Sequence, residues 1–181
     1  MKKQWFPWLV VILLVLWIGL FFGCQKKAPA GLTEDQARAI GDWYLKARNE
    51  ANLALLDNIY APGIVVHDPT QPANVVGLDA LKAEYGATHA AVPDLKFTMD
   101  EMYFKGDRIV WVFTMTGTIT KAFRTPLGEI PPTGNAFKLT GVAIDRIVDG
   151  KIAEEWLYFN PAELLIPLGF KLMPPSAPPA E

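Results

Sequence analysis

Apolar residues near the start of the chain's globular part recur at intervals of three and four. The pattern begins after Thr33, which has capping-box spacing to Gln36, and it continues to about Ile59. It predicts one long amphipathic helix, and Pro62-Gly63 is expected to end that helix. A short strand over residues 64–67 should follow.

The second half of the chain changes to a strand pattern. A second helix is predicted over 78–91, and β-branched and aromatic residues then predict strands over 95–104, 108–121, 135–148 and 152–159. Lys105-Gly106-Asp107 and Asp149-Gly150 supply tight hairpin turns. Helices followed by antiparallel hairpins predict an α+β fold, in which a strongly curved antiparallel sheet packs on the long helix and leaves a cavity between them.

The N-terminal segment has a different character. Residues 5–22 carry no charge and follow Lys2 and Lys3, as in an export signal. Cys24, directly after Gly23, resembles the lipidated cysteine of bacterial lipoproteins. The alternative is an uncleaved transmembrane helix, because the apolar run is at the lower limit of a bilayer span. Both alternatives predict a membrane-anchored domain in the cell envelope, outside the cytoplasm.

The chain divides into four predicted segments and has a small negative net charge. Residues 1–23 are the predicted signal or anchor, 24–32 a tether, 33–173 one domain and 174–181 a Pro-rich tail. Without Lys2 and Lys3 there are 15 basic against 19 acidic residues, a net charge of −4. No basic run points to nucleic acid. No His, Cys and carboxylate spacing suggests a metal, so no metal or cofactor is expected.

Six segments of the domain resemble a known family in their order and spacing. They are LLDNIYAPGIVVHDP, VGLDALK, VPDLKFTMDE, GDRIVWVFTMTGT, IPPTGNAFKLTGVAIDRIVDGKIAEEW and PLGF, spread over residues 36–172. They are similar to the SnoaL-like family, also called ester cyclases or polyketide-cyclase-like proteins. The resemblance implies a cone-shaped barrel of the nuclear-transport-factor/ketosteroid-isomerase kind. It also implies an apolar pocket, cofactor-free aldol-type cyclisation by one carboxyl group, and a sheet that often pairs two copies into a homodimer.

The last strand supplies the first candidate for that carboxyl group. Alternation places Glu154, Trp156, Tyr158 and Asn160 on one face. Glu154, flanked by aromatic residues, is predicted to be the acid/base, because an apolar pocket raises a carboxyl pKa. The alternative is a structural Glu that holds Arg146. Glu155 is expected to face solvent.

Two further residues are candidates for proton transfer. Asp145 on the preceding strand is the second acid, with a rim ion pair as its alternative. His67, beside Asp68 at the end of the first strand, is the third candidate, and the alternative is a structural or turn role for Asp68 before Pro69. Trp156, Tyr158, Asn160, Trp111 and Tyr44 are the candidate ligand-binding residues, and ordinary core packing is the alternative for the aromatic ones.

The chain departs from the family pattern at proton-transfer positions. The family's WDxxD segment reads Trp156-Leu157-Tyr158-Phe159-Asn160 here, and Ile119 stands where a His is frequent. Each exchange removes an acid or base. Three functions therefore remain open: binding of a small hydrophobic molecule, which the exchanges favour, cofactor-free catalysis, and protein interaction.

Overall fold

A curved six-stranded sheet with helices on its inner face forms the domain in a computed structural model, which describes residues 31–125, 128–171 and 173. The helices are α1 (Glu34–Asn49), α2 (Leu78–Ala91) and α3 (Pro161–Leu165), with a 3-10 helix at Leu53–Asn58. The strands are β1 (Tyr60–His67), β2 (Val75–Val76), β3 (Lys96–Lys105), β4 (Arg108–Thr118), β5 (Phe123–Thr125), β6 (Gly128–Ile130), β7 (Ala136–Val148) and β8 (Lys151–Phe159).

The sheet has the order β2-β1-β8-β7-β4-β3, and β5 and β6 form a separate hairpin. The predicted α+β fold with a strongly curved sheet against the first helix is confirmed. Two details differ from the expectation. The sheet is mixed, because β1 runs parallel to β8, and it is not closed into a barrel.

The first helix is shorter than predicted. It ends at Asn49, whose side chain bonds to both backbone groups of Phe97: Phe97 N donates to Oδ1 over 2.7 Å, and Nδ2 donates to Phe97 O over 3.0 Å. Ala51 then adopts a positive φ of 54°, which breaks the helical path. The apolar spacing in the sequence extends beyond Asn49 to Ile59 because a separate 3-10 helix follows and buries Leu56 in the same core.

The first strand is longer than predicted. It begins at Tyr60 and includes Pro62-Gly63, which were expected only to end a helix. The pairing with β8 shifts register between Tyr60 and Val65, so the proline lies in an irregular stretch where a missing N–H breaks no ladder bond.

Several predicted features lie outside the described residues, namely the apolar segment 5–22, Cys24 and the Pro-rich tail 174–181. No helix in the part of the chain that the structure describes is long and apolar enough to span a membrane.

The core is arranged as two clusters of buried side chains on the inner face of the sheet. One packs Leu56, Tyr60 and Ile109 under α1, and the other packs Phe97, Ile119 and Leu139 towards α3. Tyr44 and Phe113 pack against both clusters. Register shifts in β1, β3 and β8 bend the sheet, because an extra residue increases the local twist.

Candidate functional site

A cavity of about 370 Å³ lies between α1, α2 and the inner face of the sheet. Tyr44 and Arg48 contribute from α1, and Leu81 and Tyr85 contribute from α2. The sheet supplies an almost entirely apolar wall, which includes Phe97, Phe113, Met115, Phe137, Leu139, Leu157 and Phe159. Its volume and apolar lining are typical of small-molecule sites.

A second volume of about 30 Å³ adjoins the main cavity. Tyr44, Phe97, Phe113 and Leu157 line both spaces. Trp111, Asp145 and Glu155 line only the small one. The small space therefore connects the apolar cavity wall with two carboxyl groups.

Asp145 and Glu155 face each other across neighbouring strands as Cα partners of β7 and β8. Both are buried, with exposed fractions of 1% and 3%. The Trp111 Nε1–H donates to Asp145 Oδ2, and the Tyr60 hydroxyl donates to Glu155 Oε2 over 2.7 Å. No N–H or O–H donor among the described residues reaches Asp145 Oδ1 or Glu155 Oε1. A proton shared between the two carboxyl groups satisfies both oxygens.

The two carboxyl groups are placed to share a proton. Burial, followed by the charge of Glu155, raises the pKa of Asp145 well above its usual range. Burial also raises the pKa of Glu155, but the Tyr60 hydroxyl and the charge of Arg48 oppose that shift. Asp145 is therefore the member of the pair that holds a proton more readily. The alternative prediction for Asp145, an ion pair at the rim, is wrong because the residue is buried.

A β-bulge decides which glutamate faces inward. From the Asp149-Gly150 turn, a regular ladder pairs Ile147 with Ile152 and would pair Asp145 with Glu154. Instead, Ala153 is an extra residue, and Asp145 pairs with Glu155. The prediction that Glu154 faces the pocket and Glu155 faces solvent is therefore wrong.

Glu154 lies on the outer face of the sheet, in a cluster with His67 and Arg146. Its Oε1 contacts His67 Nε2 at 3.0 Å, and its Oε2 accepts from Arg146 Nε over 3.0 Å. The bond with His67, followed by that with Arg146, lowers the pKa of Glu154. His67 also stacks on Trp156 with ring centroids 5.0 Å apart. The alternative reading of Glu154, a structural partner of Arg146, is confirmed.

The candidate ligand-binding residues divide between the two faces. Tyr44 lines both spaces, and Trp111 lines the small one. Trp156 lies in the outer cluster and Tyr158 is 55% exposed, so neither lines a described cavity. The Asn160 side chain accepts from Ala162 N and caps α3.

Two of the three positions at which the chain departs from the family pattern line the main cavity, and the third, Asn160, does not. Leu157 stands where the family often has Asp, and Ile119 stands where it often has His. These exchanges make the wall more apolar. The carboxyl pair lies deeper in the domain, beside the small space.

Three buried polar residues were missed by sequence reasoning: Tyr60, Arg48 and Glu155. Arg48 did have a signal, because it follows Gly41 and Tyr44 on the stripe of α1 that faces the core. Glu155 had a weaker signal, because it has the two-residue spacing that puts it on the same face of the strand as Leu157 and Phe159. No group of three His, Cys, Asp or Glu side chains within the described ranges is placed to hold a metal ion.

Comparisons with known proteins agree with this architecture. TsrD from Streptomyces laurentii has a TM-score of 0.68 at 26% identity, over 76% of this chain and 98% of that chain. IdmH from Streptomyces antibioticus, a proposed polyketide cyclase, has a TM-score of 0.62 at 25% identity, over 75% and 99%. A Catenulispora acidiphila protein with a ketosteroid isomerase-like fold, solved in complex with trimethylamine, has a TM-score of 0.61 at 18% identity, over 75% and 97%.

The last likeness is informative about the fold alone. Among curated proteins, no sequence matches the chain. Residues 38–166 match the family described as SnoaL-like polyketide cyclase, which is most of the described domain. The chain therefore belongs to the SnoaL-like polyketide cyclase family.

Proposed function

We propose that this domain binds a small, largely apolar molecule in the cavity of about 370 Å³. The observation that carries the proposal is the cavity itself, whose sheet wall is apolar, including Leu157 and Ile119. A domain that served only as an interaction module would fill this space with side chains, because protein interiors are close-packed. IdmH, a proposed polyketide cyclase, suggests polyketide-like molecules as the ligand class.

Native mass spectrometry of the full chain, purified from its own host, tests the binding function. The expected result is a bound small molecule, which is lost when Met115→Trp places an indole in the cavity. Met115 lines the cavity, whereas Val76 is exposed on a short strand, so Val76→Trp is the matched control and should retain the molecule. The proposal fails if the wild-type chain neither carries a molecule nor binds an apolar probe.

A second function, cofactor-free acid/base catalysis, is supported by the buried Asp145–Glu155 pair. The ionised Glu155 would take a proton from a carbon next to a ligand carbonyl, and the electron pair of the C–H bond would form the enolate. Asp145 holds its own proton and positions Glu155. Burial raises both pKa values, which brings the pair towards the range useful for proton transfer.

The keto–enol conversion of 1-phenylbutane-1,3-dione is a suitable test of this chemistry. We expect Glu155→Gln to reduce the protein-catalysed rate by about 100-fold or more, because an amide cannot accept the proton. Glu154→Gln, one residue away on the opposite face, is the control and should leave the rate unchanged. Equal rates in both variants would leave binding as the function.

We also propose that the domain is exported and anchored in the cell envelope. The support is the uncharged segment 5–22 after two lysines, followed by Cys24. The mass of the chain purified from its own membrane distinguishes the two anchors. A mass that matches cleavage before Cys24 plus a lipid, abolished by Cys24→Ser, supports lipidation, whereas an intact N-terminus with no added mass supports a transmembrane helix.

A further inference from the structure

Arg48 is a buried cation that faces the main cavity. Its side chain lines that cavity, and the residue is only 3% exposed. The guanidinium lies over the ring of Tyr85 at 3.5 Å and over the ring of Phe97 at 4.7 Å. Neither Nε nor Nη1 has a hydrogen-bond partner among the described residues. Aromatic faces attract the charge, but they do not satisfy its N–H donors.

The carboxylates that line the same cavity are engaged elsewhere. Asp68 Oδ1 accepts from the backbone N and the hydroxyl of Thr70, over 2.7 and 2.6 Å. Glu84 Oε1 accepts from Gln71 Nε2 over 3.4 Å. Arg48 forms an ion pair with neither within the region that the structure describes.

Two other charged groups in the described part of the chain, Glu155 and Arg124, also form no ion pair with Arg48. The charge of Arg48 lowers the pKa of Glu155, but the Glu155 carboxylate accepts from the Tyr60 hydroxyl and is hydrogen-bonded to the Asp145 carboxyl group. Arg124 lines the cavity too, but its side chain is 90% exposed and pairs with Glu129. Among the described residues that line the cavity, Arg48 is therefore the buried cation.

A buried guanidinium without an acceptor is costly, because it has lost its water and gained no hydrogen bond in return. The cost is removed when a ligand supplies the acceptor. Two oxygens in one plane match the guanidinium fork better than a single carbonyl oxygen does. The sheet wall of the cavity is almost entirely apolar, so the part of the ligand that lies along it should be apolar as well.

We infer that Arg48 binds the carboxylate of the ligand, so that the natural ligand is an apolar monocarboxylic acid. This inference rests on the proposed binding function. It assigns the polar end of the ligand to the α1–α2 side of the cavity, with its apolar part along β4, β7 and β8.

Matched acid and amide probes test the inference. The probes are 2-naphthylacetate and 2-naphthylacetamide, titrated by calorimetry into the full chain held in lipid nanodiscs, with empty nanodiscs as the blank. The wild-type protein should bind the acid about 10-fold tighter than the amide, which is the discrimination expected of one charge-assisted contact. Arg48→Met should remove that preference by weakening acid binding alone, and Arg48→Lys should keep part of it.

Arg38→Met is the control, because Arg38 lies on the same helix but is exposed and pairs with Glu34. It should leave both affinities unchanged. The melting temperature of Arg48→Met without probe separates binding from structure. An unchanged or higher value agrees with a cation that awaits a ligand, whereas a large decrease would assign Arg48 to the core.

The outcomes distinguish this inference from the proposed function. Equal affinity of the wild-type protein for acid and amide would overturn the role of Arg48 and leave apolar binding intact. Failure of the wild-type protein to bind either probe, together with no retained molecule in native mass spectra, would overturn both.

Discussion

Glu154 and Glu155 are neighbours in the chain, yet they lie in opposite environments. Glu155 is buried in a pair with Asp145, and burial raises its pKa. Glu154 lies on the outer face, where His67 and Arg146 lower its pKa. The same side chain thus becomes a candidate base on one face and a surface ion-pair partner on the other. The difference comes from the strand's local geometry rather than from residue type.

The largest effect should come from removing Trp111, the aromatic residue that donates to the buried Asp145–Glu155 pair. Trp111 is buried, and its indole donates to Asp145, so Trp111→Ala leaves a cavity and an unsatisfied carboxyl group. We expect a loss of about 3–5 kcal/mol in the free energy of unfolding. Trp156→Ala on the outer face removes the stacking on His67 and the contact with the Arg108 guanidinium, and it should cost about 1–2 kcal/mol. Urea unfolding measures both, and equal losses would contradict the assignment of faces.

Tyr60, which donates to the same buried pair, should have the next largest effect. Tyr60→Phe removes the hydroxyl that donates to Glu155 and leaves a buried carboxylate short of a donor. We expect a cost of about 1–3 kcal/mol at neutral pH. Tyr103 donates to Glu101 in the same way but on the surface, so Tyr103→Phe should change the stability little. A similar cost for both variants would show that burial is not the cause.

The pH dependence of stability should reveal Asp145. Because its pKa is raised in the folded state, the folded chain keeps a proton that the unfolded chain releases above about pH 4. The free energy of unfolding should therefore fall as pH rises, by at most about 1.4 kcal/mol per pH unit for one proton. Asp145→Asn mimics the protonated acid and should flatten that slope between about pH 5 and 8. A slope that persists unchanged would exclude Asp145 as its source.

The smallest effect should come from Glu154, and its pH dependence has the opposite sign. A lowered folded pKa means that its contribution is present above the usual glutamate pKa and is lost as pH falls through the folded value. Glu154→Gln should lower the melting temperature slightly at neutral pH and low salt. The difference should disappear in about 1 M NaCl, because salt screens ion pairs near the surface. A difference that resists salt would mean that Glu154 is more buried than described.

From the sequence, Asp145 remained open between a pocket acid and a rim ion pair, although the alternation along β7 agrees with an inner position. Asp145 is in phase with Phe137, Leu139, Ala143 and Ile147, all of which are buried. The four long strands were predictable, because each is dense in β-branched and aromatic residues. The parallel pairing of β1 with β8 was not, because pairing partners depend on the whole topology rather than on local pattern.

The site itself was only partly predictable. Tyr44 and Trp111 were expected at the cavity because large aromatic residues on core-facing positions line pockets. Glu155 was assigned to solvent, because nothing in the sequence reveals a bulge at Ala153. Arg48 was missed, because an arginine on a helix is normally solvated. The buried polar residues are thus those that break the pattern of their own element.

The bulge at Ala153 has a practical consequence for redesign of the cavity. Along β8, the inward positions are Ile152, Glu155, Leu157 and Phe159, with intervals of three, two and two residues. A combinatorial library that varied every second residue from Ile152 would alter Glu154, Trp156 and Tyr158, and so diversify the surface. A library intended to change ligand preference must follow the uneven intervals, and it can retain Ala153 as the spacer that keeps Glu155 opposite Asp145.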